Sequence, residues 1–313
     1  MVEERTKRVA AIDVGTNTTR LLVAEGVGKK YRDIDRRLAY TRLGSGVDES
    51  RVISPAAQQR TLKAIAEYCA ISGELGVERL RIAGTSAVRD AANREEFLSQ
   101  ASQLSGIEAE VLDGTHEAFL SFLGATRDLE YGSYLVCDIG GGSTEFVLGS
   151  PGGQIEGRVS LDIGSVRLTE RFLLSDPPAT EEILTMEAAI DDALDFAAKS
   201  VPGAEQAQLV GVAGTVTTLA AIHLGLEEYD AEATHLTRLE RKAVNGLYLD
   251  LARMGADSKR QLSSLPPERA DIIVAGASVL ARAMNRWSFS DLIVSEKDVL
   301  DGLVLELLEE GTQ

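Results

Sequence analysis

Short, dense apolar runs alternate along this chain with longer stretches where apolar residues recur every three or four positions. That is the signature of strands alternating with amphipathic helices. Dense runs flank a glycine-containing polar turn within 9–23 and again within 134–148, so each predicts a β-hairpin. Further strands are expected within 31–43 and at 80–83, 109–112, 154–161, 209–213 and 290–294. Ser54 followed by Pro55 supplies an N-cap and a first-turn proline. Leu62, Ile65 and Cys69 continue that helix at helical spacing, and Gly73 is a natural stop. Helices are also expected over 93–104, from the 113–119 turn with Phe119, Phe122 and Leu123 inward, and opening within 162–169. The segment from Glu181 carries Ile183, Met186, Ile190, Leu194 and Ala197, a stripe that reads as core. The remaining helices are expected from 214, over 268–284 behind Pro266-Pro267, and over 297–308. The alternation is that of an α/β protein.

The turns carry the candidate chemistry. Asp138-Ile139-Gly140-Gly141-Gly142-Ser143-Thr144-Glu145 joins the second pair of apolar runs. Consecutive glycines permit positive φ and an inward ring of N–H groups, which with the Ser143 and Thr144 hydroxyls suits phosphate oxygens. Asp138 and Glu145 would repel phosphate unless a cation lay between them, and a hard divalent ion such as Mg2+ fits. A plain glycine hairpin with solvent-facing acids is the bland alternative. The N-terminal hairpin repeats the device: Asp13-Val14-Gly15-Thr16-Asn17-Thr18-Thr19-Arg20. At an offset of 125 (138 − 13), Asp13 falls on Asp138, Gly15 on Gly140, Asn17 on Gly142 and Arg20 on Glu145. An internal repeat half a chain long predicts two similar domains facing each other across a cleft. The boundary is placed at Asp128, giving domains 1–128 and 129–313, with the last helix able to pack back on the first.

Other polar turns follow strands, where α/β folds place ligands. In Gly84-Thr85-Ser86-Ala87-Val88-Arg89-Asp90, Arg89 reaches either a phosphate oxygen or a surface acid, Asp90 or Glu95. Glu117 sits in the first turn of a helix, where a carboxylate ordinarily answers the helix dipole. Gly214 and Thr215 open another helix and read either as phosphate contacts or as close helix-on-sheet packing. Gly164 and Ser165 are expected near the cleft. The glycine-rich segment 42–48 is a flexible rim or a plain connection. His223 is expected to face the core, and His235 to cap a helix entry.

Asp13 to Arg20, Gly84 to Arg89, Gly114 to Phe119 and Asp138 to Glu145 together resemble the exopolyphosphatase and guanosine pentaphosphate phosphatase family, in a short two-domain form. The resemblance spans about 9–308. It implies two ribonuclease H-like domains of the actin-like ATPase type, with the active site in the cleft between them. It implies Glu117 as catalytic base and Asp138, Glu145 and Asp13 as holders of magnesium. Gly15, Thr16, Asn17, Arg20, Arg89, Gly140, Gly141, Gly142, Ser143, Thr144, Gly214 and Thr215 are then the phosphate-binding set. The implied reaction is hydrolysis of the terminal phosphoanhydride of inorganic polyphosphate. Guanosine pentaphosphate hydrolysis, an ATP-dependent kinase and a non-catalytic polyphosphate or alarmone sensor are the alternatives. The chain departs from the family at Leu300, where an arginine is usual. It ends at Gln313, without the helical domains of longer members, which implies a preference for shorter polyphosphates.

Composition adjusts this picture. The 313 residues suffice for two domains with sizeable cores, and 44% hydrophobic with 26% charged residues is ordinary for a globular protein. The net charge of −17 argues against a nucleic-acid partner and requires that any polyphosphate site be electropositive locally. Two cysteines at unrelated spacing, Cys69 and Cys137, read as buried free thiols of a cytoplasmic protein. A charged start argues against a leader, and no run has the length of a membrane span. A homodimer is left open.

Overall fold

The computed structural model describes residues 5–309. Residues 1–4, on which the expectation of no leader partly rests, and 310–313 lie outside it. The chain divides into two compact units. One runs to Gly124 and takes the chain back from Val299; the other spans Ala125–Asp298.

The first unit begins with strands β1 (Lys7–Val14), β2 (Thr19–Val27) and β3 (Lys30–Ala39), followed by helices α1 (Val47–Ser50) and α2 (Pro55–Glu74). Then come β4 (Arg79–Gly84), α3 (Ser86–Asp90), α4 (Arg94–Ser105), β5 (Ala109–Val111) and α5 (Gly114–Ala125). The sheet order is β3-β2-β1-β4-β5, antiparallel through β1–β3 and parallel from β1 to β5. Because side chains alternate along a strand, β1 serves two cores. Ala10, Ile12 and Val14 pack with the α2 and α4 side, while Val9 and Ala11 pack with Leu120 of α5 and the C-terminal helix. The Ser54 hydroxyl accepts from the Ala57 N–H at 3.3 Å, so the cap works as its sequence suggests. The stop comes later than Gly73, after Glu74, with Gly76 in the left-handed region at φ +67°.

The second unit contains β6 (Tyr134–Ile139), β7 (Thr144–Ser150), β8 (Gln154–Leu161), α6 (Ser165–Phe172), α7 (Thr180–Ser200), β9 (Gln208–Val212) and α8 (Ala213–Leu224). It continues with α9 (Ala231–Thr234), β10 (Arg238–Glu240), α10 (Arg241–Arg253), α11 (Ala256–Lys259), α12 (Ile273–Arg286) and β11 (Asp291–Val294). Its sheet runs β10-β11-β9-β6-β7-β8. Read from β8, the order of the first five strands repeats that of the first unit, so the repeat seen in the turns extends to the whole topology. The core lies between this sheet and α7, α8, α10 and α12 and includes Leu135, Cys137, Phe146, Met186, Ile190, Leu194 and Val244.

Several expectations change. The helix placed over 268–284 is two pieces, a single 3-10 turn at Pro267–Arg269 and then α12 from Ile273. The α10 stripe of Val244, Tyr248 and Leu251, at i, i+4 and i+7, was in the sequence and went unread. His223 is exposed in the last turn of α8, where a basic residue suits the helix C-terminus, and does not face the core. His235 follows α9 and enters no helix; its Nδ1 accepts the Glu296 N–H at 3.2 Å and its Nε2 lies 3.3 Å from Asp128. Cys137 is buried and Cys69 half-buried, and both are free thiols. Among the described residues no helix is long and apolar enough to cross a membrane.

The C-terminal helix α13 (Val299–Glu309) lies on β1 and β2. Leu300 is fully buried there beside Leu303, Val304 and Leu22. A guanidinium in that apolar packing would lose its hydration without a partner, so position 300 in this chain is core. One residue on, the buried Asp301 carboxylate accepts from the Tyr31 hydroxyl at 2.6 Å and from Arg36 Nη2 at 2.8 Å. Replacing Asp301 by alanine removes the acceptor that these two donors share, at about 2–3 kcal/mol for a half-buried pair. The thermal midpoint of the Asp301→Ala protein should fall by several degrees. A midpoint equal to that of the parent would show that the Tyr31–Asp301–Arg36 contact does not hold α13 in place.

Candidate active site: two glycine turns and a buried carboxylate

In the second unit, Asp138 and Glu145 are directly paired across β6 and β7, and the glycine turn lies between them. The turn closes with the Gly140 N–H donating to the Ser143 carbonyl at 3.0 Å. The start of α6 comes up beneath it. The Ser165 N–H donates to the Gly140 carbonyl (2.9 Å), and the Val166 and Arg167 N–H groups to the Gly141 carbonyl (2.8 and 3.2 Å). Arg167 Nε donates to the Gly142 carbonyl at 2.6 Å. In a trans peptide the C=O of one residue and the N–H of the next point in opposite directions. With three successive carbonyls turned toward α6, the N–H groups of Gly141, Gly142 and Ser143 turn away from it together. The result is a row of donors backed by a helix N-terminus, which is chemistry for an anion.

The glycines serve this turn differently from the expectation. None of Gly140, Gly141 and Gly142 has positive φ. What matters is room: a Cβ on Gly164 would stand 2.3 Å from the Gly141 carbonyl carbon and oxygen and 2.4 Å from the Gly142 nitrogen. Backbone lies directly on backbone there, so the helix start can reach the carbonyls. Gly164 and Ser165 thus lie under the turn as its support. The Thr144 hydroxyl donates to the Ile163 carbonyl at 2.7 Å and braces the same junction. Glu145 accepts from the Ser160 hydroxyl at 2.6 Å. Asp138 and Glu145 are both at least nine-tenths buried. Like charges opposite each other on a sheet repel, and these two carboxylates are direct cross-strand neighbours.

The first unit repeats the turn. The Gly15 N–H donates to the Thr18 carbonyl at 2.9 Å, the counterpart of Gly140 and Ser143. Here the segment once read as a rim or connection plays the supporting part. The Gly44 N–H donates to the Thr16 carbonyl and the Arg42 N–H to the Asn17 carbonyl, both at 2.9 Å. By the same peptide geometry, the Asn17 and Thr18 N–H groups face the other way. The Asn17 Nδ2 donor is buried with no acceptor among the described residues, and so is the Ser86 hydroxyl at the start of α3. Ser86 was quoted within its motif in the sequence but not singled out; nothing local marks it.

Arg20 and Asp13 are cross-strand partners, and Arg20 Nε and Nη2 both reach Asp13 Oδ2, at 3.0 and 2.7 Å. Asp13 is therefore engaged by an arginine. Among the described residues no three His, Cys, Asp or Glu side chains form a metal-holding group. Arg89 Nη1 donates to Glu117 Oε2 at 2.8 Å and to the Leu112 carbonyl at 2.9 Å, so it meets Glu117, an acid beyond the two its own turn suggested. Glu117, at the start of α5, is 8% exposed. Burial pushes its carboxyl up to about 7, with Arg89 pulling against that shift, and the Asp13 and Arg20 charges also reach it. His116, next to it, is turned to Glu306 of α13, with Nε2 2.9 Å from Oε1.

The α8 turn is built for packing. The Arg269 guanidinium lies against Gly214 so closely that a Cβ would meet Nη2 at 1.9 Å. Thr215 packs on Gly276 of α12, where a Cβ would come within 2.4 Å of its hydroxyl oxygen. The alternative of close helix packing thus describes both residues as they stand.

A model of the Ppx/GppA phosphatase family matches residues 22–310. The chain is 40% identical over 315 residues to exopolyphosphatase 2 of Mycobacterium tuberculosis, covering 96% of this chain and 98% of that protein. The crystal structure of an exopolyphosphatase-like protein matches with a TM-score of 0.94 at 37% identity, over 98% of this chain and 99% of the other. An exopolyphosphatase from Cytophaga hutchinsonii matches with a TM-score of 0.90 at 28% identity, over 97% and 98% of the two chains.

The raised Glu117 carboxyl has a stability consequence whose sign is definite. With a folded value of about 7 against 4.5 unperturbed, the native state holds the extra proton between those two values. The contribution of Glu117 is therefore fully present below 4.5 and is lost as pH rises through 7. Glu117→Gln, which mimics the protonated form, should leave the melting temperature nearly unchanged at pH 5 and raise it at pH 8. A drop at pH 8 would mean that the ion pair with Arg89 outweighs the burial of the carboxylate.

Proposed function

The chain belongs to the Ppx/GppA phosphatase family, and from that membership we propose that it hydrolyses the terminal phosphoanhydride of inorganic polyphosphate, releasing phosphate. The observation that carries the reading is Glu117, a buried carboxyl with a value of about 7, beside Arg89 and within reach of the charges of Asp13 and Arg20. A carboxylate poised near neutrality is matched to taking a proton from water as that water attacks phosphorus. A polyphosphate end offers only phosphate oxygens and a good leaving group, so positioning and charge stabilisation do most of the remaining work.

The reading gives those tasks to both turns. The N–H groups of Gly141, Gly142 and Ser143 receive phosphate oxygens in the second unit. The Asn17 and Thr18 N–H groups do so in the first, beside Gly15 and Thr16, where a phosphate oxygen would also satisfy the Asn17 amide that has no acceptor among the described residues. Leaving such a donor unmatched costs about 1–3 kcal/mol. Arg20 and Arg89 add positive charge. Asp138 and Glu145, two buried anionic oxygen donors side by side, fit a hard divalent cation such as Mg2+ by donor type and would hold it. When bound, the cation supplies the charge that lets these carboxylates face phosphate. Asp13, taken by Arg20, is left to orient that arginine.

The family name joins two activities, and hydrolysis of guanosine pentaphosphate at its 5′ end would use the same donors and base. Phosphate release from polyphosphates of several lengths and from guanosine pentaphosphate, measured side by side without any acceptor, ranks the two. The same assay sets both apart from a kinase, which needs an acceptor, and from a sensor, which binds without turnover.

In that assay Glu117→Gln should retain polyphosphate binding and lose at least about a hundredfold in kcat, the scale of a missing general base. For the parent protein, kcat/KM should rise with pH through about 7, because only the ionised Glu117 accepts a proton. The part of that rise due to Glu117 should be missing from the variant. Unchanged turnover in folded Glu117→Gln would remove Glu117 from the chemistry.

Activity should also disappear in chelator and return with Mg2+. Full turnover in chelator, on metal-stripped substrate, would leave Asp138 and Glu145 with some other task.

A further inference from the structure

Two turns of backbone supply donors in this fold, and the second has a charged side chain inserted beneath it. Arg167 is 5% exposed, uncommon for an arginine. Its backbone N–H donates to the Gly141 carbonyl and its Nε to the Gly142 carbonyl, so one residue spans two successive peptides of the turn. The arithmetic of the helix start explains why a side chain is needed. The N–H groups of Ser165, Val166 and Arg167 are spent on the carbonyls of Gly140 and Gly141, and none is left for Gly142. The Gly142 carbonyl sets the direction of the Ser143 N–H, the last donor of the row. Without a donor beneath it, that peptide is free to rotate and take Ser143 N–H out of line. Arg167 Nη2 also lies 3.8 Å from the mostly exposed Asp162 carboxylate.

We propose that Arg167 is a positioning residue for phosphoanhydride hydrolysis: it pins the Gly142–Ser143 peptide so that the Ser143 N–H meets the substrate phosphate, and it holds a positive charge behind the donor row. The inference rests on the function proposed above. It explains how a chain of net charge −17 makes one turn locally attractive to phosphate without exposing a cation there. A charge-assisted bond at 2.6 Å is strong and directional, and lysine, a compact charge on a flexible stem, reproduces the charge without the planar fork.

The test compares the parent protein with Arg167→Met, Arg167→Lys and Arg167→Ala in three measurements. These are steady-state phosphate release from polyphosphate, calorimetric binding of tripolyphosphate, and hydrogen exchange along β6, the turn and β7. Arg167→Met should lower kcat about tenfold to a hundredfold, the scale of one lost transition-state donor, with KM moving less than kcat. Exchange should quicken in the turn and stay unchanged in the strands. Arg167→Lys should fall between. Methylguanidinium should restore part of the kcat of Arg167→Ala and do nothing for the parent. Arg167→Met with kcat and KM within twofold of the parent overturns the proposal. So does a loss that follows a general drop in stability in all three variants with no rescue. If the parent releases no phosphate, the functional reading fails, and Arg167 is judged on binding and exchange. Tripolyphosphate affinity at least about fivefold weaker in Arg167→Met with a loosened turn then supports its role, and no change in either overturns it.

Discussion

The planarity of the peptide bond is the constraint on which this structure turns. Once the start of α6 and Arg167 take the carbonyls of Gly140, Gly141 and Gly142, the direction of the next three N–H groups is no longer free. The donor row is thus a by-product of support from below. That support requires the backbone of Gly164 to lie on the backbone of Gly141, which a single Cβ would prevent. The first unit reaches the same end by another route, with the Arg42 and Gly44 N–H groups in place of a helix. Two different supports thus lie under one repeated turn, on sheets whose strand order also repeats.

The repeat also shows how the halves divide their work. Position for position, Arg20 faces Asp13 where Glu145 faces Asp138. The first pair joins opposite charges; the second sets two carboxyl groups side by side. The first unit adds a buried carboxyl near neutrality, Glu117, and a second arginine, Arg89. In the proposed function the first unit supplies the base and the second the carboxylates that would hold a cation, while both turns offer N–H groups to phosphate. This local arrangement, and not the overall charge, is what an anionic substrate would meet.

Much of this was legible in the sequence. Hairpins announce themselves by dense apolar runs around glycine, and the offset of 125 was visible before any coordinates. Glu117 and Arg89 could be singled out by position, but their pairing could not, because it joins the end of α3 to the start of α5. Burial, which moves the Glu117 carboxyl, is likewise a property of packing. The role of the glycines was misread for a physical reason: sequence shows that a Cβ is absent but not whether the need is for positive φ or for room. Thr215 could be read from sequence as a phosphate contact or a packing residue, and its close approach to Gly276, 61 positions on (276 − 215), was not visible there. Arg167 carried no local signal at all, since an arginine in the first turn of a short helix ordinarily points to solvent.

The central claim is that backbone N–H groups of the second turn receive phosphate. It is tested most directly by amide nuclear magnetic resonance of the Glu117→Gln protein titrated with tripolyphosphate. The account predicts large, saturable downfield proton shifts at Gly141, Gly142 and Ser143, with smaller ones at Asn17 and Thr18. Saturable binding that leaves the Gly141, Gly142 and Ser143 amides in place would contradict it.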